Sequence, residues 1–204
     1  FFSKFHFLSN IKPLLFDRIG KVADKYVASI LPPINKKEGV ESYVLGFSTL
    51  SYDVGIRAKK QGRHYIIHSQ WCHGTYQYNK IAEAYRSLDI TPPKFSVSKI
   101  RQQNLEFKLA DLIWCPSEMV KESLIENGVC RKKLFVSYLG IDTLKFRVDR
   151  DSRVKNKVFT ILFVGSVCIQ KGVHVLLQSL VDFNGRDVTL IFNGKPDIDG
   201  ERLV

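Results

Sequence analysis

The chain has 204 residues, 45% of them hydrophobic and 25% charged, and a formal net charge of +11. That composition excludes disordered and fibrous classes, and the length allows one large domain or one domain with part of a second. Four scattered cysteines with no CxxC pair exclude a zinc site and read as free thiols in a reducing compartment.

No run reaches the ~18 apolar residues of a membrane-spanning helix. No signal peptide is evident, although the first residue is Phe1 rather than Met. The basic residues are spread along the chain, densest at Lys36-Lys37, Lys59-Lys60 and Arg131-Lys132-Lys133. None of these groups extends to a run of five, so no nucleic-acid partner is expected. A solvated basic surface, or else a membrane-surface or polyanion role, accounts for the charge. The expected location is cytoplasmic, with the cytoplasmic face of a membrane as its extension.

In chain order, residues 10–31 read as a helix, with Ile11, Leu14, Leu15, Ile19, Val22, Ala23, Tyr26 and Ile30 at helical spacing. Lys12, Arg18, Lys21 and Lys25 make it basic and amphipathic. Such a helix either packs on a core or lies on an anionic membrane. Pro32-Pro33 stops it. A strand over 42–47, a helix over about 49–60 and a strand over 64–68 then form a βαβ pattern. Residues 76–88 read as helical, and Thr91-Pro92-Pro93 breaks the pattern. A helix over 97–109 follows, with Ile100, Leu105 and Leu109 as its apolar positions and Arg101, Glu106 and Lys108 as polar ones.

Leu112-Ile113-Trp114-Cys115 is a short buried strand. Ser117 is placed to cap the next helix, which ends at Gly128. A strand over 134–138 leads into Gly140-Ile141-Asp142, where Asp142 reads as a turn residue. The charged stretch 147–157 is the expected linker. A strand over 159–164, a helix over 172–180 and a strand over 188–192 open a fresh unit. The expected fold is therefore α/β, with Rossmann-like, parallel, doubly wound sheets. An N-terminal domain spans 1–146, a linker 147–157, and the start of a second Rossmann-like domain 158–204.

Ligands of such sheets bind at the carboxyl ends of strands. One such end is Val164-Gly165-Ser166-Val167-Cys168-Ile169-Gln170-Lys171-Gly172. Gly165 lets a backbone approach a bulky anion, because it has no Cβ. The following helix offers free N–H groups and a partial positive charge. Lys171 adds a full positive charge at that end. These features suit a phosphate or diphosphate, or else form a plain βα turn with an exposed lysine. The stretch matches neither GxGxxG nor a Walker A loop, which disfavours dinucleotide oxidoreductase chemistry.

A second strand end, from His68 to Gln77, gathers two histidines, hydroxyls, an amide and Trp71. It could bond sugar hydroxyls through Gln77 while Trp71 stacks on a ring face. His73 is either an acid, base or donor toward substrate, or a cap of the next helix. No third ligand supports a metal there.

These segments resemble retaining glycosyltransferases of family 4, which are GT-B enzymes with two Rossmann-like domains facing a cleft. Ala110-Asp111-Leu112-Ile113-Trp114-Cys115-Pro116-Ser117 resembles their AD–strand–PS segment. Gly140-Ile141-Asp142 with Phe146 resembles their step into the linker. Phe163-Val164-Gly165-Ser166, Lys171-Gly172-Val173 and Leu176-Leu177 resemble their donor-domain entry. The ordered set covers about residues 41–192.

The resemblance implies sugar transfer from a nucleotide-diphosphate sugar with retention of configuration, without metal or other cofactor. Gly165, Ser166 and Lys171 would contact the donor diphosphate, and His73 would be the catalytic residue near the transferred sugar. Trp71 and Gln77 would contact acceptor or sugar. The acceptor would be a glycan, a lipid or a small molecule. Ser166 and Gln170 stand where many members carry Arg, so one diphosphate cation is missing or comes from elsewhere. The family's acidic donor-sugar motif would lie past Val204, so the isolated chain is expected to be inactive. The rival reading is a non-catalytic, basic α/β module that binds a polyanion or a membrane.

Overall fold

The structure is a computed structural model that describes residues 17–34, 41–147, 158–181, 187–197 and 199–202. Helix α1 covers 17–30. Then come β1 (Tyr43–Phe47), α2 (Tyr52–Lys60), β2 (His64–His68), α3 (Gly74–Arg86), α4 (Val97–Leu109), β3 (Leu112–Cys115), α5 (Glu118–Glu126) and β4 (Leu134–Val136). The chain continues with β5 (Phe159–Val164), α6 (Val173–Leu180) and β6 (Val188–Asn193). The first part of the expected 10–31 helix and residues 148–157 of the expected linker lie outside the described residues.

The chain divides into two compact units. One takes the residues up to Gln77 together with Phe95–Leu139, and the other takes Tyr78–Lys94 together with the residues from Gly140 on.

In the first unit, β1 to β4 form one parallel sheet in the order β1-β2-β3-β4. Right-handed crossovers that always step the same way lay their helices on one face of the sheet. That face holds the core: Val44, Tyr65, Ile67, Ile113 and Cys115 of the strands pack with Val54, Ala58, Phe107, Val120 and Leu124 of α2, α4 and α5. The Tyr65 ring lies directly on Gly55, where a Cβ would sit 2.4 Å from a ring carbon, so only glycine fits. Strand residues alternate between faces. The opposite face therefore carries Tyr43, Leu45, Phe47, Leu112 and Phe135, which are 39% to 54% exposed.

Polar side chains tie off the ends of the helices. Ser117 caps α5 as expected, accepting the Val120 N–H at 3.3 Å. Lys133 Nζ donates to Lys108 O at 2.9 Å and Ala110 O at 2.7 Å, closing the carbonyl end of α4. Asp111 accepts from Tyr65 N at 2.8 Å and from Lys59 Nζ at 2.6 Å. Burial alone would raise the Asp111 carboxyl, but these two donors hold it below its ordinary value.

The packing of α4 does not follow its apolar positions. Leu105 is 38% exposed, whereas Glu106 is fully buried. The turn between β1 and α2 supplies the reason. Its backbone N–H groups need acceptors, and Glu106 takes those of Thr49 and, at 3.1 Å, Ser51. Gln102 Nε2 donates to Thr49 O at 3.0 Å. Beside it, Asp24 of α1 accepts from Asp53 N at 2.8 Å and Val54 N at 3.0 Å. Two acidic side chains thus fill the start of α2, where a phosphate could otherwise bind.

In the second unit β5 and β6 pair in parallel over six residues, Phe159 with Val188 through Val164 with Asn193. Val167, Cys168, Ile169 and Val173 are buried. Tyr85 of α3 is also buried and donates its hydroxyl to Asp199 Oδ2 at 2.7 Å.

Candidate functional site

The strand-end loop after β2 is built around His73. The residue is 2% exposed and precedes the first turn of α3. Thr75 N–H donates to its Nδ1 at 3.2 Å. Nδ1 is therefore the acceptor, and Nε2 carries the proton that it shares with Asn104 Oδ1 at 2.8 Å. The His73 N–H donates to Ser123 Oγ at 3.1 Å. This is the helix-cap geometry, and both ring nitrogens are engaged within the protein. Gly74 N donates to Gln103 Oε1 at 2.9 Å, which ties the same loop to α4. Trp71 stands 60% exposed at the loop's tip, and Gln77 is half-buried on α3.

His68, at the end of β2, did not stand out in the sequence beyond its place in the loop. It is 6% exposed and stacks on Trp114, with ring centroids 4.1 Å apart and planes 18° apart. Its Nε2 is buried without a hydrogen-bond partner among the described residues. Burial lowers its basicity. Trp114 in turn donates its Nε1–H to Ser137 O at 2.7 Å.

In the second unit the loop after β5 holds Gly165, Ser166 and Lys171. Gly165 has φ 139°, in the region that favours glycine. Its N–H is already spent on Asn193 O at 3.1 Å. The close approach at this residue comes from Gly194, where a Cβ would lie 1.8 Å from Gly165 O. The ladder then continues through Val167 N to Lys195 O at 3.0 Å and Asp197 N to Val167 O at 3.2 Å.

Ser166 and Lys171 are exposed. Lys171 ends a 3₁₀ turn, Ile169–Lys171, and Gly172 enters α6 in the left-handed conformation, φ 75°. No side chain caps α6. Its first helical bond among the described residues runs from Leu176 N to Gly172 O at 3.1 Å. The first-turn N–H groups of α6 thus lack internal acceptors, as at any helix start. His174 in that turn has an Nδ1 buried without a partner among the described residues. The sequence signal for it is a histidine two residues past Gly172.

Each unit therefore has its own group of expected site residues. His73, Trp71 and Gln77 belong to the first; Gly165, Ser166 and Lys171 belong to the second.

No protein-family profile matches the chain, and no curated protein does. Solved structures do match. The S. aureus MnaA–UDP co-structure superposes with a TM-score of 0.51 at 13% identity, covering 92% of this chain and 48% of that one. A putative UDP-N-acetylglucosamine 2-epimerase from Listeria monocytogenes gives a TM-score of 0.48 at 16% identity, covering 91% of this chain and 46% of that one. The chain spans about half the length of each. What this chain has in common with the S. aureus protein is the fold alone, α/β with parallel, Rossmann-like sheets.

Proposed function

We propose that the chain is part of a glycosyltransferase that moves a sugar from a nucleotide-diphosphate donor to an acceptor with retention of configuration. The observation that carries this reading is the start of α6. It is uncapped, follows a strand end, and has the exposed Ser166 and Lys171 on the same loop. A cation at a helix N-terminus is unfavourable by roughly 0.3–1 kcal/mol, and a bound anion offsets that. The ordered likeness to retaining family 4 segments supports the same assignment, and the bound UDP of the S. aureus protein is in keeping with it.

In this reading the diphosphate lies against the first N–H groups of α6, the Ser166 hydroxyl and the Lys171 ammonium. These groups stabilise the negative charge that grows on the leaving diphosphate. Gly165 contributes by having no side chain, since its N–H is committed to Asn193. Trp71 offers a ring face to a sugar, and Gln77 an amide. His73 orients the 69–77 loop through its cap. For it to serve the transferred sugar directly, its Nε2–H would turn from Asn104 to the ligand.

The test is calorimetric titration of the full-length protein with UDP and with other nucleoside diphosphates. Lys171→Ala should weaken binding about 10- to 150-fold, the range for a lost charged hydrogen bond. Ser166→Ala should weaken it less. Unchanged affinity in Lys171→Ala would remove this corner from the donor site. A polyanion that binds more tightly than any nucleotide, through Lys132 rather than Lys171, would favour the non-catalytic module instead. If the full-length enzyme interconverted nucleotide sugars without an acceptor, transfer would be the wrong reaction.

A further inference from the structure

Helix α1 presents itself to the protein the opposite way from an ordinary surface helix. At 100° per residue, Asp17, Gly20, Asp24 and Ala28 fall on one line, and Leu31 continues it. Asp24 of that line is buried against the start of α2, and Ala28 and Leu31 pack on the core. The protein-facing side of α1 is therefore anchored largely by a carboxylate and small residues.

The outward side is apolar. Ile19 is 54% exposed, Val22 69%, Tyr26 63% and Ile30 58%. On the same wheel Arg18, Lys21 and Lys25 all fall on one flank of this stripe. Neighbouring helices extend the basic flank: Lys25 shares a hollow with Arg57 and Lys60 of α2, and Lys21 and Lys25 share another with Arg101 of α4. Acidic groups are few there. Asp17 pairs with Lys21 at 3.2 Å, Asp24 is committed to backbone N–H groups, and Asp53 lies in both hollows.

An exposed apolar stripe bordered by basic residues matches an anionic bilayer surface, into which the stripe inserts while the cations meet headgroups. Charge complementarity selects this occupant, because the flank of six cations and the net charge of +11 would repel a second copy of the same face. No helix among the described residues is long and apolar enough to cross a membrane, so the contact lies in the interfacial plane. We infer that α1 docks the protein on an anionic lipid surface through Ile19, Val22, Tyr26 and Ile30, with Lys21, Lys25, Arg57, Lys60 and Arg101 as the electrostatic rim. The inference stands on α1 and its neighbours and does not depend on the sugar-transfer reading.

The test is co-sedimentation of the full-length protein with vesicles of phosphatidylcholine alone and with one-fifth phosphatidylglycerol. Binding should need the anionic lipid and fall when salt rises to about 0.5 M, because headgroup attraction is screened. The double variant Val22→Asp with Tyr26→Asp should bind at least tenfold more weakly. Lys21→Glu with Lys25→Glu should bind at least about thirtyfold more weakly, at roughly fivefold for each basic residue lost. All four residues are exposed, so both variants should keep the wild-type circular dichroism spectrum and melting temperature. Three outcomes overturn the inference: no binding of the wild type to anionic vesicles, equal binding to neutral vesicles, or wild-type binding by the Val22/Tyr26 variant. A fourth is a dimer that this variant dissociates while the wild type ignores vesicles, since the stripe would then be a self-association surface.

Discussion

Glu106 gives the fold a dependence on pH with a definite sign. Burial pushes its carboxyl up from an ordinary 4.5 to about 7, against the opposing pull of the Thr49 and Ser51 N–H groups and Gln102; nearby Asp24 pushes it further up. The folded chain thus holds a proton at Glu106 where the unfolded chain has already released it. The resulting stabilisation is complete below pH 4.5 and disappears as the pH rises to about 7. A displacement of that size corresponds to about 3 kcal/mol.

Glu106→Gln separates this effect from every other carboxylate. The amide keeps an acceptor for the turn and cannot ionise. Urea unfolding of wild type and variant at pH 4.5, 5.5, 6.5 and 7.5 gives the stability difference at each pH by linear extrapolation. The wild type should lose about 3 kcal/mol relative to the variant across that range, with the slope confined to the interval below about pH 7. A difference that does not change with pH, or one in which the wild type gains on the variant as pH rises, would refute the account of Glu106 as a buried proton holder.

Three further outcomes follow from the packing. Gly194→Ala places a Cβ 1.8 Å from Gly165 O, a clash with backbone that no rotamer relieves. It should destabilise the second unit by about 3 kcal/mol, the upper end of the usual cost of overpacking, seen as a lower melting temperature and as proteolysis after β5. Ser117→Ala should cost about 1 kcal/mol by urea titration, the typical loss of an N-cap. Asn104→Ala leaves the buried His73 Nε2–H without its acceptor and should cost about 1–3 kcal/mol in the same assay. If that variant also left amide exchange in the first turn of α3 unchanged, the cap would not be what holds the loop.

The strands were legible because each is a short apolar run bounded by a turn residue. β2, β3 and β5 fall where Tyr65–Ile67, Ile113–Cys115 and Ile161–Val164 put their branched and aromatic side chains. Ser117 was legible as a cap because its partner N–H is three residues away in the sequence. The packing phase of α4 was not legible. Its hydrophobic positions suggest one inward side, but the acceptors required by the turn at 49–51 select another, and that demand is written some 55 residues earlier in the chain.

The candidate sites show the same division. The open start of α6 could be read from the strand–loop–Lys-Gly order alone. The engagement of His73 by Asn104 is made across 31 residues of chain, and Gly165 owes its neighbour to Gly194. Neither contact leaves a local mark in the sequence. The outward turn of the apolar side of α1 was hidden for a similar reason. A wheel of apolar and basic residues does not reveal that Asp24 will be the anchor.

The meeting of peptide planes at residues 165 and 194 also limits how the second unit can evolve or be engineered. Main chain, and no side chain, plugs the gap between the ends of β5 and β6. A side chain at position 194 has no room unless the loop is rebuilt. If this corner holds the proposed diphosphate, changes in ligand preference would arise on its open flank, at Ser166, Gln170 and Lys171, which are exposed and lie off the strand ladder.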